Sequence, residues 1–587
     1  MSSSGTPAMV GARAAGAVPL GLPPGQSASS LQSSGQGKRR NWRKNLFRLH
    51  GWMGLNLGLL LFVICFSGSI ATISHEIDWL VDARHRVPAQ DAAYDWTAMH
   101  ETLAETFPDG RNLGVYAPEE PGFAALAYVN LPTGQTRKVY LNPYTGELQG
   151  HTSFFNAQRF FRSFHRQFFD GHRGILVVGG WGFVLLFSTL TGFLFYRGWI
   201  KQLTSLRWRK GRRLRWSDLH KTTGIWALLF ALLIALTGVF YFVEVLFQAA
   251  DNYDALLPPP LAQVDEASLL TYGSQPALLP VGAYVAAAKQ AYPKLDVRSV
   301  RIPQRPGQAV YVDGQAGNVL TRDRADKVHL HPFTAEVLGI QKTGDLGVVP
   351  FVTDAVDPLH FGTFGGLWTK AIWLLFGLVL SFSILAGTYL WVIRSETARG
   401  RSTSRWMRGA PVAAVLTLVY FGLAAGWALD EIKAYGNTDP MPVEVDRLTV
   451  GPYDVRIDCA MPCDPEAGAT YGVRFLGEGL PNYAEAAMVS EDGQVFPLEG
   501  PSWRPEARTG TGGYQTYSLR ITLHDGSQYE ASFEPPSEPL LASATPLTEW
   551  PDTAPGVWVV VVGFVMITAG LILTWLYMIG RTFRQRA

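Results

Sequence analysis

The chain has 587 residues, 47% apolar and 17% charged, with 50 Lys+Arg against 48 Asp+Glu and only three cysteines. At roughly 100–200 residues per domain the length suggests about three to five domains, and the charged share lies well below the roughly 25% usual for soluble domains. These figures exclude a disulfide scaffold, a long disordered chain and a strongly basic nucleic-acid binder, and leave a membrane protein with sizeable water-facing parts.

Residues 1–37 are rich in Ser, Gly, Ala and Pro and are expected to form a disordered cytoplasmic tail, ending by residue 40. Six apolar runs follow, at 52–73, 175–196, 224–243, 371–393, 411–429 and 557–579. Each approaches or exceeds the ~20 residues that a helix needs to cross a bilayer. With their flanks they predict membrane helices at 50–73, 174–196, 220–246, 368–393, 410–429 and 557–579. The first begins too far from the terminus to be a cleavable signal.

The basic residues set an orientation. Segments 38–48, 197–219, 394–408 and 581–587 hold 22 Lys/Arg and two acids, and all fall on one side of the six helices. The rest of the chain holds 28 basic and 46 acidic residues. Positive loops mark the cytoplasmic face. Both termini are therefore expected inside, with the cytoplasmic connections at 197–219 and 394–409 and the tail at 580–587. Segments 74–173, 247–367 and 430–556 are expected outside, the last as a β-rich domain. Cys459 and Cys463 lie in that last segment, where an oxidising compartment favours a disulfide. Cys65 lies mid-membrane and reads as a packing residue.

The first four helices and two outer segments repeat. Val139-Tyr-Leu-Asn-Pro-Tyr-Thr-Gly-Glu matches Val328-His-Leu-His-Pro-Phe-Thr-Ala-Glu at an offset of 189. Upstream of each lies a helix-like segment, 96–107 and 281–292. Strands are predicted at 113–116, 124–129 and 138–142, and again at 297–302, 309–312 and 328–331. His50-Gly-Trp-Met-Gly54 matches His220-Lys-Thr-Thr-Gly224, and Ser67-Gly68 matches Thr237-Gly238, both at offset 170. Leu190-Thr-Gly192 matches Leu385-Ala-Gly387, and the segment from His165 matches that from His360, both at offset 195. The last two helices and the third outer segment have no counterpart and read as appended.

Four histidines are thus duplicated at membrane edges: His50 and His220 at the cytoplasmic mouth, His165 and His360 at the outer one. A lone interfacial histidine is usually a solvated polar residue, but four paired by face point to function. His50 and Gly68 are 18 residues apart, as are His220 and Gly238, so each Gly is expected on the face of its His about 27 Å away. Imidazoles from facing helices can grip haem iron axially. The expected sites are His50 with His220, and His165 with His360. Closed Cys/His shells for zinc are not evident in the spacing. His75 and His172 are unduplicated; each falls on the face of a paired histidine if its helix continues, so they stand as alternates or neighbours. His329 and His331 share a strand face and are expected at the surface. Tyr140, Tyr144 and Phe333 are candidate contacts but read better as core.

The segments Leu49-His-Gly-Trp-Met-Gly-Leu55, Phe164-His-Arg-Gln-Phe, Leu219-His-Lys-Thr-Thr-Gly and Leu359-His-Phe-Gly, alternating with two α+β modules, resemble the PepSY-associated transmembrane family of iron-regulated inner-membrane proteins. The resemblance covers about residues 44–395. It implies a polytopic α-helical membrane protein of the bacterial inner membrane, with six membrane helices in a duplicated 2+2 core plus two appended, and periplasmic α+β PepSY domains. It implies two haem b groups and reduction of a ferric siderophore or other Fe(III) chelate at the periplasmic face. The chain has no Gly-rich dinucleotide motif, so the expected electron donor is a separate cytoplasmic reductase or quinol. The alternatives are a non-enzymatic scaffold that regulates a peptidase, or a transport-associated protein.

Overall fold

The computed structural model describes residues 28–196, 200, 203–204, 206–264, 278–303, 307–397, 410–434, 436, 441–476, 481–499, 505–509, 516–540 and 552–584. In chain order its helices are α1 (Ala28–Asn56), α2 (Gly58–Ala71), α3 (Ser74–Val81), α4 (Trp96–Thr106), α5 (Ala157–Gln167), α6 (Gly171–Phe195), α7 (Arg212–Trp226), α8 (Leu228–Ala249), α9 (Val281–Ala291), α10 (Val348–Phe361), α11 (Gly366–Thr397), α12 (Ala410–Ala434) and α13 (Pro555–Arg584). Five helices are long and apolar enough to cross a membrane, or six if the bent pair Trp42–Asn56 and Gly58–Ala71 counts as one span. The protein is a multi-pass membrane protein carrying β-sheet domains.

Several boundaries differ from the sequence expectation. Helix α1 starts at Ala28, inside the stretch expected to be disordered. The tail expectation for residues 1–27 lies outside the described residues. Arg212 opens α7 within the predicted cytoplasmic loop. Helix α11 runs on to Thr397, and 398–409 lie outside the described residues.

The first predicted membrane helix is not continuous. It breaks at Leu57 with a bend of 68° between its halves. The indole Nε1 of Trp181 donates to the Leu57 carbonyl at 3.2 Å, a side chain inserted beside the helix ladder. The third predicted helix breaks at Ala227, between α7 and α8. Leu57 and Ala227 are 170 residues apart, the offset of the duplication, so the break is duplicated too. It yields a swapped arrangement. Helix α1 packs on α6 and α7 on α11, while the halves beyond the breaks cross over: α2 packs on α11 and α8 on α6.

The two α+β modules form one body. Each supplies a helix, α4 or α9, and four antiparallel strands: β1 (Arg111–Tyr116), β2 (Ala125–Asn130), β3 (Thr136–Leu141) and β4 (Leu148–Thr152), then β5 (Asp296–Arg301), β6 (Val310–Gln315), β7 (Asp326–Leu330) and β8 (Val337–Gln341). The fourth strand of each module was not foreseen. The eight strands make a single sheet in the order β4-β3-β2-β1-β5-β6-β7-β8. At its centre Val115 pairs with Val300, which is the same position in the two copies. One sheet face carries Ala125, Ala127, Val129, Val310, Val312 and Val328, all essentially buried under Met99 and Leu103 of α4 and Tyr284 and Ala288 of α9. Each large apolar side chain so covered contributes ~1.5–3 kcal/mol.

The turn after β3 takes a left-handed residue, Gly146 at φ 72°, and its counterpart is Ala335 at φ 58°. A Cβ on Gly146 would lie 2.5 Å from the backbone of Ala98, so the first copy cannot use alanine there.

His329 and His331, expected at the surface, are 7% and 5% exposed. The β6 and β8 strands flank β7, and the Ala262 carbonyl lies 3.3 Å from Nδ1 of His329. The third water-facing region is a two-sheet sandwich. Its strands β9 (Val443–Val450), β10 (Tyr453–Cys459), β11 (Thr470–Leu476) and β14 (Glu506–Arg508) face β12 (Glu485–Ser490), β13 (Val495–Pro497), β15 (Tyr517–Thr522) and β16 (Gln528–Phe533) across one core. Cys459 and Cys463 are disulfide-bonded in that core.

His100 of α4 is 8% exposed, and its Nδ1 lies 3.2 Å from the Asn112 amide nitrogen. Its Nε2 has no hydrogen-bond partner among the described residues. Burial pulls its pKa down from 6.5 to about 4. The folded state therefore takes the proton less readily than the unfolded chain. Stability that is complete above about pH 6.5 falls as the pH drops towards 4, by on the order of 3 kcal/mol from this group. His100→Leu should make the loss of thermal stability between pH 6.5 and 4 shallower, as read from melts of the two proteins across that range.

Candidate cofactor sites in the helical bundle

The four duplicated histidines come together in two pairs. His50 and His220 each stand seven residues before a break, on α1 and α7. Their ring centres are 6.2 Å apart with 49° between the planes. His165 lies near the end of α5, which Phe168 closes at φ 48°, and His360 near the end of α10, which Gly362 closes at φ 72°. These two rings are 6.1 Å apart at 32°. The residues of each pair are counterparts in the duplication, so the pairs form where the two copies face one another.

Each imidazole is held from one side. Nδ1 of His50 lies 3.0 Å from the Ser188 carbonyl, and Nδ1 of His220 lies 2.9 Å from the Ser383 carbonyl. Ser188 and Ser383 are again 195 residues apart. Nδ1 of His165 lies 3.0 Å from the Ile64 carbonyl. A carbonyl can only accept, so these three Nδ1 atoms carry the proton. Nδ1 of His360 lies 2.8 Å from the Thr237 hydroxyl, whose own proton goes to the Leu233 carbonyl at 2.9 Å. That arrangement likewise makes Nδ1 the donor. Nε2 keeps its lone pair in every case, which is the tautomer a metal ligand requires. A metal ion bonded to one nitrogen of each ring at ~2 Å would set the ring centres about 6 Å apart.

Glycines make room for the rings. A methyl group on Gly68 would lie 2.6 Å from Cε1 of His165; on Gly192 it would lie 3.2 Å from Cε1 of His50, and on Gly387 2.9 Å from Cε1 of His220. The expectation that Gly68 continues the His50 face fails, because the bend at Leu57 turns α2 away from α1. Gly238, the counterpart of Gly68, packs instead against Gly182 of α6.

A cavity of about 830 Å³ opens beside the second pair. It is lined by Cys65, Trp181 and Gly238, by His165 and His360, and by Glu119, Arg322 and Lys370. His75 also lines it and is not in a pair. A second break near Ile73 starts the separate helix α3, so the face shared with His50 does not extend to it. Its Nδ1 lies 3.1 Å from Glu119, which in turn lies 3.7 Å from the Lys370 ammonium. Burial and then the Lys370 charge push His75 down to about 3, leaving it neutral. His172 is exposed at the start of α6. Phe168 and Phe169 both take positive φ between it and His165, which ends the common helical face. Tyr140 is buried in a small apolar cluster with Val87 and Ala124, Tyr144 packs on that cluster, and Phe333 packs on Val264. Among the described residues no group of three or more His, Cys, Asp or Glu side chains could hold a metal ion.

The chain matches the family model of the PepSY-associated TM region over residues 47–394. It belongs to that family. No curated protein matches the chain. The PepSY-associated region contains all four paired histidines and both α+β modules, and ends before the sandwich. The hydroxyl and carbonyl partners on Ser67, Thr237, Ser188 and Ser383 are site residues that the histidine pattern alone does not name, although Ser67 and Thr237 lie inside a duplicated motif and Ser188 and Ser383 each sit two residues before a duplicated Leu-x-Gly segment.

Gly68→Ala should force the His165 ring off its carbonyl partner and cost about 1–3 kcal/mol as overpacking. Gly54→Ala, where nothing lies within 4 Å, should stay within about 0.5 kcal/mol of the parent. Thermal melts of the two purified variants separate these outcomes.

Proposed function

We propose that this protein is a two-haem electron carrier of the bacterial inner membrane that reduces an Fe(III) chelate, such as a ferric siderophore, on the side of its β-sheet domains. The observation that carries the reading is the pairing of His50 with His220 and of His165 with His360, at 6.2 and 6.1 Å between ring centres. His50 and His220 would hold one haem b, and His165 and His360 the other. Haem iron changes charge by a single electron, which is the chemistry a ferric-chelate reductase needs.

The residues supply the rest. The carbonyls of Ser188, Ser383 and Ile64 and the hydroxyl of Thr237 fix each Nδ1–H and so keep each Nε2 free to coordinate. Gly68, Gly192 and Gly387 keep the rings clear of side-chain bulk. The apolar bundle around the pairs keeps water away and lowers the local dielectric. The cavity beside His165 and His360 gives an Fe(III) chelate a place to approach the second pair. The basic segments at 38–48 and 197–219 support a cytoplasmic location for the His50 and His220 side, where a reductase or quinol would deliver electrons. A scaffold that regulates a peptidase, or a transport role, offers no reason for duplicated imidazole pairs with pinned tautomers.

The purified protein should show a Soret band and, after dithionite, sharp α bands. His50→Ala and His360→Ala should each remove about half of the haem, whereas His172→Ala should remove none. A colourless, iron-free protein after expression with ample haem would refute the reading and leave the scaffold.

A further inference from the structure

Six cationic side chains line the cavity beside His165 and His360: Arg162, Arg166, Arg298, Arg322, Arg324 and Lys370. Four of them hold carboxylates. Arg298 lies 2.9 Å from Asp296, Arg322 2.8 Å from Asp357, Arg324 3.2 Å from Asp323 and Lys370 2.8 Å from Glu76. Arg162 and Arg166 hold none among the described residues. They stand four residues apart on α5, one turn of the same face, on either side of His165 in sequence.

This placement is unfavourable as it stands. Like charges at that spacing destabilise a helix by ~0.2–0.5 kcal/mol. Burial, and then the Arg166 and Arg159 guanidiniums, pull Arg162 below the ordinary arginine range. Asp357, the one acid that favours the Arg162 charge, already accepts from the Tyr241 hydroxyl at 2.6 Å and from Arg322. Both guanidiniums remain accessible within the cavity. A guanidinium offers a planar fork of donors that matches a carboxylate.

We infer that Arg162 and Arg166 form a carboxylate-binding pair for a ligand seated in the cavity beside His165. Carboxylates of two sources fit: the propionate groups of a tetrapyrrole held at His165 and His360, or the acid groups of an anionic Fe(III) chelate. The first source rests on the haem reading above. The second does not.

The test uses the full chain in detergent, comparing the parent with Arg162→Gln/Arg166→Gln and with Arg162→Lys/Arg166→Lys. Matched thermal melts show that each variant is folded, and the Lys variant keeps the charge if the Gln variant does not fold. Haem content, redox titration and equilibrium binding of ferric citrate and of a neutral ferric trihydroxamate are read on all three. If the pair holds a tetrapyrrole, the Gln variant loses haem from one site or shifts that site's midpoint potential negative, and the Lys variant does so less. If it holds a chelate, haem is unchanged and ferric citrate binds at least about tenfold more weakly to the Gln variant. The neutral complex then binds as before. A parent without haem whose ferric citrate binding is lost in the Gln variant would sink the haem reading and keep the arginine pair. Unchanged haem, potential and citrate binding, or a parent that binds neither, would overturn the pair itself.

Discussion

Each of the four paired imidazoles is tied at one ring nitrogen, and that constraint organises this bundle. A free histidine ring rotates and exchanges tautomers. Here each of the four paired rings is tied at Nδ1 by a carbonyl or hydroxyl from a helix of its own copy. A carbonyl inside an α-helix is normally already an acceptor, but it has a second lone pair. The ring must come close to the neighbouring helix to reach it. That approach explains why Gly68, Gly192 and Gly387 face the rings: a β-carbon would occupy the space the imidazole needs.

The helix breaks follow from the same demand. A straight helix carrying His50 would bring the chain past its partner at one crossing angle throughout. The bend at Leu57 lets α1 pack on α6 of its own copy while α2 crosses to α11 of the other. The same division occurs at Ala227. Each copy therefore ties its histidines to itself and presents them to its counterpart. The sheet obeys this relation too, since Val115 meets Val300 at the seam between modules. A gene duplication whose halves pair face to face gives two sites for the design of one, and each site is built from equivalent residues.

Much of this was legible in the sequence because duplication leaves a regular trace. The offsets of 170 and 195 residues picked out His50 with His220 and His165 with His360, and the structure brings those rings together. The apolar runs marked the membrane helices. The breaks were not legible. Gly54 and Gly58 flank Leu57 and Gly224 precedes Ala227, but glycines occur throughout these apolar runs, and the Trp181 indole that meets the Leu57 carbonyl is 124 residues away. The helical faces that join His75 to His50 and His172 to His165 end at the break near Ile73 and at the positive φ of Phe168 and Phe169. The single eight-stranded sheet was also hidden, because β1 and β5 alternate as ordinary half-buried strands and nothing local says that they pair. The burial of His329 and His331 is a consequence of the same tertiary pairing.

The near-balance of charge in the whole chain conceals two different uses of arginine. In the segments 38–48 and 197–219 the basic residues are crowded together with one acid between them, which suits a face that meets anionic lipid and stays put. Around the cavity, basic and acidic groups are interleaved, and most are paired. Arg322 and Asp357 tie the β7 side of the sheet domain to α10, the helix that carries His360. Lys370 ties α11 to α3 through Glu76. These pairs are partly shielded from water, so they cost desolvation and depend on good geometry for any net gain. Their evident effect is positional: Arg322 with Asp357 and Lys370 with Glu119 tie the sheet domain to the helices that line the cavity. The ties run between elements that line the same cavity as His165 and His360, so the sheet domain and the helices around that pair are held as one body.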